Sequence, residues 1–211
     1  MDAVQLFRHA LEQWENRNLG DRQQVYALTK ELEAHCTTGT NLYVIDMQPD
    51  DPLSFRSDTL VENVDLKGDQ SSLGSYPDQE YVKRDVIPFY LDVKENGRVS
   101  WLRMKSVIQG HYAVYDRLLL PIEEHGKVRW TLSITKTRVL VPPKPNLRQL
   151  TDRQQDILFL LSQGLSSKET AQRMGISHRT VEHQISAVKR KLGTKNVTQA
   201  VALFVGSALI E

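Results

Sequence analysis

Cysteine is almost missing from this chain. Cys36 stands alone among 211 residues, which excludes an internal disulfide and a cysteine-rich zinc site. Long apolar runs are missing as well: no stretch approaches the twenty residues that cross a bilayer, so no membrane association is expected. The opening MDAVQLFRHALEQWENR has neither the apolar core nor the cleavage pattern of a secretory leader, and a cytoplasmic location is expected. Equipment for catalysis is equally scarce. There is no glycine-rich phosphate loop, no activated nucleophile and no ligand set at metal spacing; His178 and His183, five apart, match one helix face poorly. No catalytic residue, metal or resident cofactor is expected, and an enzyme is the weakest function class. A net excess of charge is also absent, at +1 overall, yet the charge is unevenly shared. From Asn146 onward nine Lys and Arg face five Asp and Glu, a balance of +4, which leaves −3 on the remainder. Such a split suits a basic, nucleic-acid-facing module joined to one of another kind. The length fits two small domains with separate cores.

The basic tail contains the most organised stretch of the sequence, SHRTVEHQISAVKRKL from Ser177 to Leu192. Val181, Ile185, Val188 and Leu192 recur at steps of four, three and four, one apolar stripe along a helix. Arg179, Thr180, Glu182, His183, Ser186, Lys189, Arg190 and Lys191 fill the rest with groups that bond phosphates or base edges. Ser177 is placed to cap the helix start. Upstream, Ile157, Leu158, Leu161 and Leu165 make a helical face that Gly164 ends. Ser166 to Glu169 carries capping-box spacing and opens a short helix through Ala171 and Met174. Gly175-Ile176-Ser177 then turns tightly into the next helix. Helix, tight glycine turn, helix is the helix-turn-helix layout, whose second helix enters the major groove. A last helix starts near Asn196.

These residues together resemble the LuxR/FixJ/NarL family of bacterial transcription regulators over Leu150 to Ile210. The likeness is carried by Leu150-Thr151, Arg153, Leu158, Gly164, Ser167-Lys168-Glu169, Ala171, Ile176-Ser177, Thr180-Val181, Lys191-Leu192-Gly193 and Gln199-Ala200-Val201. Gln154 replaces a usual glutamate, Gln184 a frequent histidine, and Val197 a common arginine. The resemblance implies a homodimeric regulator of double-stranded DNA. Groove geometry makes Glu182, His183 and Ser186, on the outer face of 177–192, the candidate base contacts. Lys168, Arg179, Thr180, Gln184, Lys189 and Arg190 are the candidate phosphate contacts. Val197, Ala200, Val201, Phe204 and Ala208 are expected to pair two copies about a twofold axis. An inverted repeat with half-sites about 10 bp apart follows. RNA polymerase or a regulatory protein is a further candidate partner.

The first 140 residues read differently. Val4, Phe7, Leu11 and Trp14, then Val25, Leu28 and Leu32, predict two helices within residues 1–36, packed on their own domain or seated at a dimer seam. Cys36 reads as inert packing. Strands are expected at Leu42–Ile45 and within Phe55–Leu66, and a helix over Pro77–Val93 that Pro88 should kink or divide. Glu95-Asn96-Gly97-Arg98 signals a turn. Strands over Val99–Ile108, Tyr112–Ile122 and Val128–Val139 follow, the last with strict alternation. Residues 112–134 resemble the closing hairpin of PAS-type sensor domains, which implies a sensory or dimerising module whose interior sometimes holds a small ligand or haem. His111 and His125 flank glycines and read as solvated turn residues, not haem ligands. Residues 141–149, with three prolines, form a semi-rigid linker. The expected fold is α+β: a PAS-like sensor domain with an antiparallel sheet (1–140), then an all-α four-helix LuxR-type helix-turn-helix domain (150–211).

Other readings share parts of this pattern. An autoinducer-binding quorum-sensing regulator would carry a tryptophan-tyrosine-aspartate set that is not found in register; Trp101 and Trp130 read as strand-core residues. A phosphoreceiver needs separated acidic residues, whereas Asp50, Asp51 and Asp65 lie too close together. A helix-turn-helix that docks proteins in place of DNA is distinguished by the salt dependence of its binding.

Overall fold

The computed structural model describes residues 2–17, 19–64, 68–141 and 147–208. The chain divides into two compact units, Met1–Gln109 with Ala113–Leu140, and Val141–Glu211 with Gly110–Tyr112. The proline-rich stretch 142–146 lies outside the described residues, as do Asp65 and the last three residues.

Two helices open the first unit. Helix α1 (Ala3–Glu15) starts at an Asp2–Gln5 capping box and α2 (Arg22–Glu33) at an Asp21 cap. The α2 stripe Val25, Leu28 and Leu32 is buried as expected. The α1 stripe is rotated. Ala3, Leu6, Phe7 and Ala10 face inward, Leu11 and Trp14 are only partly buried, and Val4 is exposed. The inward face includes two alanines, which a count of large apolar residues passes over. Trp14 further ties α1 down by donating its indole N–H to the Pro121 carbonyl at 2.8 Å. Cys36 gives its thiol to the Leu32 carbonyl at 3.4 Å, and burial pushes its pKa up to about 11.

Five strands follow: β1 (Thr40–Asp46), β2 (Arg56–Glu62), β3 (Ser100–Ile108), β4 (His111–Glu124) and β5 (Lys127–Val141). They form one sheet in the order β2-β1-β5-β4-β3, with β1 antiparallel to both β2 and β5. Two-residue turns close the β3–β4 and β4–β5 hairpins, with positive φ at Gln109-Gly110 and at His125-Gly126, the combination that matches strand twist. His125 is thus an exposed turn residue, whereas His111 opens β4 and is half-buried. Among the described residues no group of three His, Cys, Asp or Glu is arranged to hold a metal ion, and no helix is long and apolar enough to cross a membrane.

Alternation along β4 feeds two cores. Leu118, Leu120 and Ile122 meet α1 and α2 with Trp130, Leu132 and Ile134 of β5. Ala113, Tyr115 and Leu119 face the other way, toward a helical segment of three parts: α3 (Gln79–Tyr81), a π-helical turn (Val82–Val86) and α4 (Ile87–Asn96). Pro88 thus stands where the segment is divided, as expected, in the first turn of α4. It falls just after the wide turn, where Ile87 N–H already reaches Val82, and there its missing donor is tolerated. The turn expected at Glu95-Asn96-Gly97-Arg98 is the stop of α4, Gly97 taking the left-handed C-cap at φ 60°. Trp130 is a core residue, but Trp101 is 43 % exposed, meeting Phe7 edge-on at 5.4 Å.

The second unit is all helical: α5 (Asp152–Ser162), α6 (Ser167–Met174), α7 (His178–Leu192) and α8 (Val197–Ala208). An antiparallel sheet domain followed by a four-helix domain is the α+β layout expected from the sequence. Leu165 lies beyond the end of α5, not on its helical face. Two small cores hold these helices. Leu158, Val188 and Ala200 gather with Leu150 in one, and Ile157, Ala171, Val181 and Ile185 in the other.

Candidate nucleic-acid interface

The geometry of the second unit starts from its caps. Thr151 with Gln154, and Ser166 with Glu169, form capping boxes at the starts of α5 and α6. Both hydroxyls satisfy amides that would otherwise lack partners. The Ser166 hydroxyl and amide bond the Glu169 carboxylate and hold its pKa below the ordinary range. Gly175 ends α6 in the left-handed region at φ 65°, a conformation that L side chains rarely adopt. Two residues later Ser177 caps α7, accepting from the Thr180 amide at 3.1 Å. The turn between α6 and α7 is therefore fixed by backbone chemistry at both ends.

Helix α7 then shows two faces. Val181, Ile185 and Val188 are buried. Arg179, Glu182, His183, Ser186 and Arg190 are all exposed, so the three candidate base contacts share the outward face with two arginines. Glu182 lies 3.5 Å from His178 one turn earlier. Of the candidate phosphate contacts, Lys168 is exposed near the start of α6, while Thr180 and Lys189 are half-buried at the margins of the face. The Thr180 hydroxyl is 2.8 Å from that of Ser177.

Gln184 is placed in a way the sequence did not signal. Its carbonyl oxygen accepts from Gln154 at 3.0 Å, and the Gln154 oxygen accepts from Lys191 at 2.9 Å. Lys191 also donates to the Gln149 carbonyl at 2.7 Å. The two glutamines noted as departures from the LuxR/FixJ/NarL pattern are thus partners of each other. This bond fixes the Gln184 amide, leaving its N–H2 end as the group able to donate. The Gln154 oxygen also engages the ammonium of Lys191, an exposed residue in the most basic run of the chain.

The set expected to pair two copies lies partly in the cores of this unit. Ala200 is fully buried, Val201 and Phe204 pack against the core it shares with Leu158 and Val188, and Val197 packs against the core of Val181 and Ile185. That stripe holds α8 to its own unit. The side chain of Ala208, the last residue of α8, lies outside the described set. The outward face of α8 carries Thr198, Ala202 and Val205 instead, with Val205 38 % exposed.

Comparison with known proteins adds three findings. Residues 148–204 match the family model described as bacterial regulatory proteins, luxR family. The transcriptional activator AhyR of Aeromonas hydrophila is 43 % identical over 61 residues, 29 % of this chain and 24 % of AhyR. The spore germination protein GerE of Bacillus subtilis is 42 % identical over 52 residues, 25 % of this chain and 70 % of GerE. The chain therefore spans about a quarter of the length of AhyR but most of GerE. Among solved structures, the phage VqmA–DPO complex aligns over 86 % of this chain and 89 % of its own, at 16 % identity and a TM-score of 0.38.

Proposed function

The chain belongs to the luxR family of bacterial regulatory proteins, and from that premise we propose that it is a homodimeric, sequence-specific regulator of transcription that binds double-stranded DNA. One observation carries the reading: α7 is anchored by Val181, Ile185 and Val188 while its outward face presents Arg179, Glu182, His183, Ser186 and Arg190 to solvent. A helix held in this way fits the major groove. Glu182 accepts from a cytosine amino group, and His183 and Ser186 bond neighbouring base edges. Lys168, Arg179, Thr180, Lys189 and Arg190 position the helix through phosphates, with the N–H2 of Gln184 beside them. Two copies pair through Thr198, Ala202 and Val205 on α8, which sets half-sites about one helical turn, or roughly 10 bp, apart.

The unit before the linker acts as the receiver. Its antiparallel sheet, with the helical segment α3–α4 between β2 and β3, supports the PAS-like reading and a division at residues 141–149. Its input is a small ligand or a partner protein, and its output reaches RNA polymerase or another regulator through the DNA-bound dimer.

Binding measured on a panel of half-site variants tests the roles. His183→Ala is expected to lose about 1–3 kcal/mol of discrimination at one base pair. Arg190→Ala is expected to weaken all sequences alike and reduce the slope of log affinity against log salt by about one. If His183→Ala weakened every sequence equally, the base-reading role would be wrong.

A further inference from the structure

A cavity of about 100 Å³ lies within the first unit, lined in part by Tyr43, Tyr76, Tyr81, Tyr90, Tyr115 and Arg117. Space of this order takes a molecule of roughly one ring. At its wall sits a buried cation. Arg117 is 3 % exposed and stays protonated at any physiological pH. Its Nη1 donates to the main-chain carbonyl of Asp85 at 2.8 Å, and its Nη2 to the hydroxyls of Tyr81 at 3.0 Å and Tyr115 at 2.8 Å. The Asp85 carboxylate itself is engaged by Arg84 at 2.8 Å. Among the described residues no carboxylate accepts a hydrogen bond from Arg117, and that of Asp85 acts on it only through Coulomb attraction.

The Tyr81 and Tyr115 hydroxyls lie 2.8 Å apart and both already accept from Arg117. One of their two hydrogens lies between them; the other has no acceptor among the described residues. Tyr43 repeats the arrangement, accepting from the Asn41 amide at 2.8 Å with its own hydrogen unclaimed there. The wall therefore offers a positive charge and surplus donors and lacks an acceptor of negative charge. Ile45, Val86 and Ile108 on the remaining wall suit a hydrocarbon body better than an inorganic anion.

We propose that this cavity binds a compact carboxylate carried on a single ring or short unsaturated chain, its oxygens accepting from Arg117 and the unclaimed tyrosine hydroxyls. The proposal rests on the reading of this unit as the receiver and names the chemistry received. With both Nη2 hydrogens given to the tyrosines, the Nε and second Nη1 hydrogens of Arg117 are left to donate among the described residues, and the tyrosine rings stack on a flat body.

Calorimetric titration of the intact protein tests it with benzoate, 4-hydroxybenzoate and phenylacetate against their uncharged amides. At least one acid is expected to bind about tenfold or more tightly than its amide, the margin of one charge-assisted contact. Tyr115→Phe, which keeps the ring, is expected to weaken that acid by about tenfold while the circular dichroism spectrum is unchanged. Arg117→Gln is expected to abolish it; should that variant not fold, Tyr115→Phe carries the test. Equal binding of acid and amide, or no binding by any acid, overturns the proposal. DNA affinity measured with and without the bound acid separates the two readings. A bound acid that leaves DNA affinity unchanged keeps the site and removes its receiver role. Absence of any bound acid in a protein that still selects a DNA motif removes the site alone.

Discussion

Asp116 and Arg117 are adjacent on β4, point to opposite faces of the sheet, and are both almost fully buried. Asp116 is held by Arg103 at 2.8 Å and by Arg138 from the neighbouring strand β5. Burial alone would raise its pKa, and the two arginines outweigh that, holding the carboxyl below its ordinary range. A carboxyl with a depressed folded-state pKa stabilises above its unfolded value, about 3.9. That contribution is lost as pH falls through the folded value. Asp116→Asn is therefore expected to cost about 1.5–3 kcal/mol near neutrality, the range for hydrogen bonds to a charged group, and to flatten the loss of stability as pH falls below about 4. Urea unfolding at a series of pH values reads both effects, and an unchanged acid limb would contradict the assignment. None of this was legible in the sequence. Asp-Arg within a strand reads as a solvated pair, because periodicity records where apolar groups fall and carries no mark for a buried ion.

At the level of elements, α7 was the most legible because two independent signals agreed: an apolar stripe at helical spacing and Ser177 at the start. The same helix separates anchoring from reading. Ile185→Ala removes a buried side chain and is expected to cost about 2–5 kcal/mol. Ser186→Ala, next to it and exposed, is expected to stay within about 0.5 kcal/mol in stability while changing base preference. Thermal unfolding and DNA selection on the two variants check this, and comparable destabilisation would show that Ser186 is not presented outward. Elsewhere the period found a stripe but not what covers it. The α8 stripe through Ala200 and Phe204, expected from its spacing to pair two copies, packs against the core of its own unit, Ala200 fully and Phe204 in part. In α1 the large residues Val4 and Trp14 drew the predicted face around the helix, whereas Ala3 and Ala10 define the buried side. Pro88 marked the division of the helical segment but gave no sign of the π-helical turn before it.

At the scale of the whole molecule, the uneven charge already separated a basic tail from a slightly acidic remainder, and the two compact units give that split a structural form. The five-stranded order was less accessible, since β1 pairs with β5 across some ninety residues of chain and no local signal records such a partner. The central claim is that the second unit reads duplex DNA with the outward face of α7. Selection from a random duplex library by the intact protein, with circular dichroism confirming that it is folded, tests this most directly. The account predicts enrichment of an inverted repeat with half-sites about 10 bp apart, and binding that weakens steeply with salt. Recovery of no common motif by folded protein, with affinity indifferent to salt, would contradict it.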